Sequence, residues 1–177
     1  LYRRYTGESL AVKLSDFADV SERIQYLVTQ VEEITKIDNF GAYLTAMLEI
    51  DAFFMNEDRH TNNIAVIYNE KTQKYELSPF FDQGLCMFAD INQDYPIDQS
   101  LEYCLEKIEA KPFSSDFDIQ LDAAEELYGI QIGFQFTFKD IQIYLQKNSE
   151  NYPREVIRRV EQLLRGQMRK YGYLMKK

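Results

Sequence analysis

The predicted fold is arranged around the stretch Asn56-Glu57-Asp58-Arg59-His60-Thr61-Asn62-Asn63. This stretch is polar, yet it follows directly on a segment whose apolar residues cover more than one helical face. Those residues are Phe40, Tyr43, Leu44, Met47, Leu48, Ile50, Phe53 and Phe54. A helix that is apolar over so much of its surface is usually buried, and Asp38 and Asn39 are suited to cap its first turn. We therefore expect the polar stretch to begin at the C-terminal end of the most buried helix.

A β-hairpin is predicted directly after this stretch. The segments 64–68 and 74–77 are rich in β-forming residues, and Asn69-Glu70-Lys71-Thr72 between them has the composition of a turn. Pro79 ends the second strand because proline has no N–H to donate to a sheet. The hairpin would fold Asp82 back towards the polar stretch.

The remainder of the sequence predicts helices joined by loops. Helical spacing of apolar residues, together with capping residues, predicts further helices over about 15 or 19 to 36, 98–109, 119–128, 137 or 138 to 147, and 153 to about 173. Residues 1–14 are mixed in character and basic at first, with a Thr6-Gly7 break, and are interpreted as an entering linker or as the end of a missing preceding part. The length predicts a single domain over residues 1–177. The predicted elements give it a mainly α fold that contains a small β-hairpin (α+β).

Three side chains in the polar runs have the chemistry that phosphoryl transfer requires. Asp58 stands five residues before Asn63, and Asp82 follows nineteen residues later in Phe81-Asp82-Gln83-Gly84. Such a site needs one carboxylate to orient the attacking hydroxyl, and an Asn and an Asp to hold metal ions on the nucleotide phosphates. The Asp-x-x-x-x-Asn spacing is that of the protein-kinase catalytic loop, and Asp82-Gln83-Gly84 stands where Asp-Phe-Gly would stand.

The pattern Asn56-x-Asp58-x-His60-x-x-Asn63, followed by Leu77-x-Pro79-x-Phe81-Asp82, resembles that of the HipA-like kinases. It is more distantly similar to the catalytic core of the phosphatidylinositol 3- and 4-kinases. These motifs span fewer than thirty residues. The predicted order of two helices, the site, a hairpin and more helices resembles the helical C-terminal lobe of a protein-kinase-like fold.

The resemblance implies a role for four residues. Asp58 would be the catalytic base or would orient the acceptor hydroxyl, and His60 would brace the loop or approach the transferred phosphoryl group. Asn63 and Asp82 would bind Mg²⁺ and, through it, ATP. Arg59 is interpreted separately as a structural cation that pairs with a nearby carboxylate.

Two features depart from the kinase pattern. The sequence contains no Gly-x-Gly-x-x-Gly loop and no obvious Val-x-x-Lys strand, and it begins at Leu1. We therefore expect the nucleotide-binding N-terminal lobe to lie outside this chain. Gln83 replaces the Phe of Asp-Phe-Gly, and Gly84 is expected to supply backbone freedom that a Cβ would deny.

The resemblance, together with the motif residues, implies an ATP- and Mg²⁺-dependent phosphotransferase: the C-terminal lobe of a HipA-like Ser/Thr protein kinase with a protein hydroxyl as its acceptor. Two alternatives stay open. One is a lipid or small-molecule kinase, and the other is a non-catalytic kinase-like binding module of a toxin–antitoxin system with an antitoxin-like protein partner. In a purely structural interpretation, Asp58 and Asn63 would make local turns and His60 would be a structural hydrogen-bonding group.

The charge and the cysteine content argue against several classes of binding partner and metal. A net charge of −9 argues against a nucleic-acid binder with a broad basic face and against an anionic membrane surface. Cys86, Cys104 and the single histidine do not have zinc-ligand spacing. Reduced thiols in the cytoplasm are the simplest interpretation of the two cysteines.

Overall fold

The computed structural model describes residues 2–176 of the chain. Its α-helices are α1 (Tyr2–Thr6), α2 (Leu10–Ser15), α3 (Val20–Thr35), α4 (Phe40–Phe54), α5 (Leu101–Lys107), α6 (Phe117–Tyr128), α7 (Phe138–Lys147) and α8 (Arg154–Lys170). Its strands are β1 (Val66–Asn69) and β2 (Lys74–Leu77), and two 3-10 turns cover Thr61–Asn63 and Gly172–Leu174. The predicted α+β class with one hairpin is confirmed.

Most predicted elements lie within a few residues of the observed ones. Residues 1–14 are the main exception, because the described part of this segment forms α1 and most of α2 instead of a linker. The helix predicted over 98–109 is shorter, since its first turn starts only after Ser100, whose hydroxyl accepts the N–H of Tyr103 at 3.2 Å. Within residues 2–176, none of the helices has the length and apolar character that a membrane crossing needs.

Helix α4 is the centre of the fold. It packs against α3, α6 and α8, and ten of its fifteen residues are buried. Its N-terminal half joins one apolar core with α3 and α6, whereas its C-terminal end joins a second core with α5, α7 and α8. Because both ends of α4 are fixed by packing, the point at which the chain leaves it is fixed as well.

Helix α8 holds the C-terminal end of α4 through one side chain. The last carbonyls of an α-helix have no partner within the helix. The buried Gln167 donates from Nε2 to the carbonyl oxygens of Ala52 at 2.8 Å and Phe53 at 3.2 Å. This contact links the last helix directly to the start of the polar stretch.

The hairpin has the predicted position. Its strands are antiparallel, with Val66 opposite Leu77 and Asn69 opposite Lys74. The Asn69 side-chain oxygen accepts the backbone N–H groups of Lys71 and Thr72, which closes the turn. The strands therefore return the chain to the level at which α4 ends.

Candidate functional site

The polar stretch leaves α4 through a sharp turn. Met55 has the left-handed backbone conformation (φ 54°) in which helices commonly end. The N–H of Asn56 then donates to the Asp51 carbonyl at 2.9 Å. The Asn56 side chain is fully buried, and its Oδ1 accepts the N–H of Asp58 at 3.3 Å. Asn56 thereby sets the direction in which Asp58 leaves the helix.

Arg59 holds the polar stretch against helix α4. Its side chain is fully buried, and Nε and Nη2 donate to the two carboxylate oxygens of Asp51 at 2.7 and 3.0 Å. Its Nη1 donates to the carbonyl oxygens of Asn63 at 2.9 Å and Phe81 at 3.1 Å. The pairing with Asp51 confirms the structural role predicted for Arg59, and the same guanidinium joins the end of the polar stretch to the residue before Asp82.

Two neighbouring ionisable groups respond to this burial. Burial raises the pKa of Asp51, while the hydrogen bonds from Arg59 and Asn56 oppose that rise. Burial also raises the pKa of Cys86 to about 12, with a further contribution from the Asp51 charge. The Cys86 thiol therefore stays protonated at neutral pH and is not a nucleophile.

The side chains of Asp58, His60 and Asp82 lie close together near the Arg59–Asp51 ion pair. One potential ligand atom from each of the three side chains lies within 4.8 Å of the other two. Asp58 Oδ2 is 4.0 Å from His60 Nε2, which is too far for a hydrogen bond. The side chains of Asp58 and His60 keep 30% and 42% of their surface exposed, so the cluster is open to a ligand.

Asn63 lies at the base of the cluster. It is 3% exposed, and its Nδ2 donates to the Asp58 carbonyl oxygen at 2.9 Å. Its own N–H donates to the His60 carbonyl at 2.8 Å. Because the amide nitrogen is committed to the loop, its Oδ1 is the atom left to accept from a donor or to bind a cation.

Asp82 is held in an unusual backbone conformation. It has φ 57°, the left-handed region that costs energy for residues other than glycine but that Asp and Asn tolerate best. Gly84, predicted to supply backbone freedom, is not among the residues with positive φ, and a Cβ there would meet no atom within 4 Å. That prediction is wrong, because the turn places its left-handed residue at Asp82 instead.

The aromatic side chains near the site divide between core and surface. Phe53 is fully buried, whereas Phe81 is 40% exposed. The cause is local, since the Phe81 carbonyl is bound to Arg59 while Asp82 turns the chain outwards. Phe81 thus lies on the same open side of the molecule as the exposed Asp82.

The donor set fits a hard divalent cation. Two carboxylates close together repel each other unless a cation or proton lies between them. Asp58 and Asp82 offer carboxylate oxygens, and Mg²⁺ prefers oxygen ligands. Asn63, which is hydrogen-bonded to the Asp58 backbone, has an amide oxygen that could add to them. His60 Nδ1 is buried and has no hydrogen-bond partner in the part of the chain that the structure describes. Imidazole is a poor Mg²⁺ ligand, so His60 fits a supporting role beside the carboxylates better than metal ligation.

Two supports of this site were not predicted from the sequence. Asp51 is hidden within the apolar helix, and its only sequence signal is a carboxylate at a position the helical period places inside. Lys111 comes from the loop after α5, and its Nζ lies 3.8 Å from Asp58 Oδ1. No local pattern connects Lys111 to Asp58, which lies more than fifty residues earlier.

A cavity of about 590 Å³ lies beside the loop. Thr61 and Asn62 of the first 3-10 turn form part of its wall, and most of the rest comes from α1, α2, α3, Phe40 of α4 and the hairpin with the residues just before it. Its polar and aromatic lining includes Arg3, Arg4, Gln30, Tyr68 and Tyr75. The volume is in the range of pockets that enclose a nucleotide-sized ligand.

Neither a protein-family model nor a curated protein nor a solved structure matches this chain. Any assignment of function therefore rests on the sequence motifs and on the geometry of the site.

Proposed function

We propose that this chain is the helical, catalytic part of an ATP- and Mg²⁺-dependent phosphotransferase, and specifically of a HipA-like Ser/Thr protein kinase. The observation that carries the proposal is the convergence of Asp58, His60 and Asp82, whose ligand atoms lie within 4.8 Å of one another. Asn63, the fourth residue of the motif, is buried directly beneath them. A motif that arose by chance would not need to bring Asp82 to Asp58 and His60 from nineteen residues beyond the end of the motif, with Asn63 hydrogen-bonded to the Asp58 backbone.

Each residue has a task that follows from its position. Asp58, partly exposed, accepts the proton of the acceptor hydroxyl and orients its oxygen towards the γ-phosphorus. Asn63 and Asp82 would hold the magnesium, which when bound neutralises charge on the nucleotide phosphates. His60, whose side chain is 42% exposed, would brace the loop or contact the transferred phosphoryl group. The chain contributes mainly by positioning these groups, as is usual in phosphoryl transfer.

The neighbouring cavity suits the nucleoside part of ATP. Thr61 and Asn62 line it, and the next residue, Asn63, belongs to the metal site. A ligand that reaches from this cavity to Asn63 would pass along the first 3-10 turn. Tyr68 and Tyr75 offer aromatic surface for a base, and Arg3 and Arg4 offer positive charge. Because the sequence has no glycine-rich loop, we propose that other phosphate contacts come from a lobe outside residues 1–177.

Asp58→Asn tests the catalytic assignment, in the protein as expressed from its native reading frame. The variant keeps the shape of the side chain but cannot accept the proton, so we expect phosphoryl transfer from Mg·ATP to fall about 10²- to 10⁴-fold. The transfer rate is measured as the sum of phosphate bound to protein and inorganic phosphate released, so that transfer to either a protein hydroxyl or water is detected. Asp122→Asn, an exposed position on α6, is the matched control. Transfer at the wild-type rate in Asp58→Asn would refute the proposal.

Asp82→Asn tests the metal assignment separately. Asn tolerates the left-handed conformation of residue 82, so the variant removes the charge without new backbone strain. We expect weaker Mg²⁺-dependent binding of ADP, measured by calorimetry with and without the metal. Unchanged affinity in the presence of Mg²⁺ would exclude Asp82 as a metal ligand. A panel of peptide, phosphoinositide and aminoglycoside acceptors then distinguishes a protein kinase from a lipid or small-molecule kinase.

A further inference from the structure

Lys111 lies against the proposed catalytic carboxylate although it is remote from it in sequence. Its Nζ is 3.8 Å from Asp58 Oδ1, and its side chain is 51% exposed. Within residues 2–176, Lys111 provides the one lysine or arginine nitrogen within 4 Å of an Asp58 or Asp82 carboxylate oxygen. The side chain therefore has both the charge and the freedom to change partners at this site.

The backbone that carries Lys111 is fixed on both sides. Ala110 is buried, and its N–H donates to the Ser115 carbonyl at 2.8 Å. Phe113 is fully buried, and its carbonyl accepts from Arg23 Nη1 at 2.7 Å. A rigid loop thus presents a flexible, charged side chain. The Lys111 ammonium can therefore move between partners while its backbone stays in place.

The distance to Asp58 places Lys111 where charge would develop in the reaction. An acceptor hydroxyl bound to Asp58 attacks the γ-phosphorus, so the phosphoryl group must pass within a few ångströms of the Asp58 carboxylate. An ammonium 3.8 Å from that carboxylate can reach the same space. Fixed cations aimed at a transferring phosphoryl group stabilise its transition state.

We propose that Lys111 releases Asp58 and binds the transferring γ-phosphoryl group, and this inference rests on the proposed phosphotransferase function. The acceptor oxygen forms its bond to phosphorus while the bond from phosphorus to the β,γ-bridging oxygen breaks. The electron pair of the broken bond leaves on ADP, and the hydroxyl proton moves to Asp58. Lys111 keeps its own proton throughout and acts as a cation. Before the nucleotide binds, its contact with Asp58 offsets the negative charge of that carboxylate.

Three variants of the natively expressed protein test this role. Lys111→Met removes the charge and keeps most of the stem, whereas Lys111→Arg keeps the charge. Lys107→Met is the control, because Lys107 has a similar exposure but is paired with Asp94 at 2.9 Å. Each variant is titrated with Mg·ADP alone and with Mg·ADP plus aluminium fluoride, which mimics the transferring phosphoryl group. Circular dichroism checks that each variant is folded.

We expect Lys111→Met to bind Mg·ADP like the wild type but to bind the aluminium fluoride complex on the order of 100-fold more weakly. Lys111→Arg should recover most of that loss, and Lys107→Met should lose nothing. If Lys111→Met binds the aluminium fluoride complex as tightly as the wild type, the role of Lys111 is refuted while the phosphotransferase function stands. If the wild type binds neither complex, the proposed function fails and this inference fails with it.

Discussion

Arg59→Met should destabilise this protein more than any surface substitution, because it breaks a buried ion pair. Both Arg59 and Asp51 are fully buried, with Nε and Nη2 of Arg59 on the two oxygens of Asp51. Methionine fills much of the space but leaves the Asp51 carboxylate with Asn56 as its remaining side-chain donor, at 2.7 Å. Removing one partner of a buried pair typically costs about 3–5 kcal/mol, since the other charge is left uncompensated.

That loss is large relative to the whole stability of a domain, which is usually about 5–15 kcal/mol. In a chain of this size, 1 kcal/mol corresponds to about 2–4 °C in melting temperature. The melting temperature of Arg59→Met should therefore fall by about 6–20 °C. The carbonyls of Asn63 and Phe81 also lose their shared donor, so the loop and the Asp82 segment should separate.

Urea unfolding followed by circular dichroism measures this change, with Arg165→Met as the control. Arg165 also pairs with a carboxylate, but it is 52% exposed and its distance to Glu161 is 3.8 Å, so its loss should cost less than about 1 kcal/mol. Adding Asp51→Asn to Arg59→Met should recover part of the stability, because no buried charge is then left unpaired. A loss below about 1 kcal/mol in Arg59→Met would refute the idea that this ion pair anchors the site.

Three further predictions concern burial and packing away from the site. Burial raises the pKa of Glu49 to about 6, against an ordinary 4.5, so its contribution to stability is full below pH 4.5 and is lost as the pH rises through 6; Glu49→Gln should remove up to about 2 kcal/mol of that pH dependence, seen in urea unfolding at about pH 4.5 and about pH 7.5. Gly41→Ala should destabilise the protein by about 1–3 kcal/mol, because a Cβ there would lie 2.5 Å from the Tyr128 ring. Gly166→Ala, where a Cβ would meet no atom within 4 Å, should instead stabilise α8 by about 0.5–1 kcal/mol. Equal changes in melting temperature for the two variants would contradict the close packing of Gly41 against Tyr128. Gln120 is 1% exposed and its amide has no partner within residues 2–176, so Gln120→Met should raise the free energy of unfolding by about 1 kcal/mol, and a loss of stability would show that the amide is satisfied.

The sequence was sufficient to predict the fold class and the setting of the polar stretch. The apolar period of α4 and the β-rich runs around Asn69 are local signals, and local signals determine helices and hairpins. Residues 1–14 could not be predicted in the same way. Their short helices are fixed by contacts such as the 2.6 Å hydrogen bond between the Tyr2 and Tyr26 hydroxyls, which depend on a distant segment.

The candidate site shows the same division. Asp58, His60, Asn63 and Asp82 could be proposed because three lie in one short run and the hairpin returns the fourth. The left-handed conformation at Asp82 could not be predicted, since the nearby glycine is the usual residue for it. Asp51 and Lys111 were missed because their roles depend on tertiary contacts, which a single sequence does not display.

The hydrogen bonds from Gln167 to the end of α4 have a consequence for the order of events during synthesis. The site residues 56–82 emerge from the ribosome well before Gln167, with about 85 residues still to be added after Asp82. At about 5–20 residues per second, the nascent chain waits roughly 4–17 seconds for the side chain that holds the Ala52 and Phe53 carbonyls. The site can therefore be completed only after α8 has been synthesised. A chain that terminates before α8 would carry the whole motif without the helix that supports it.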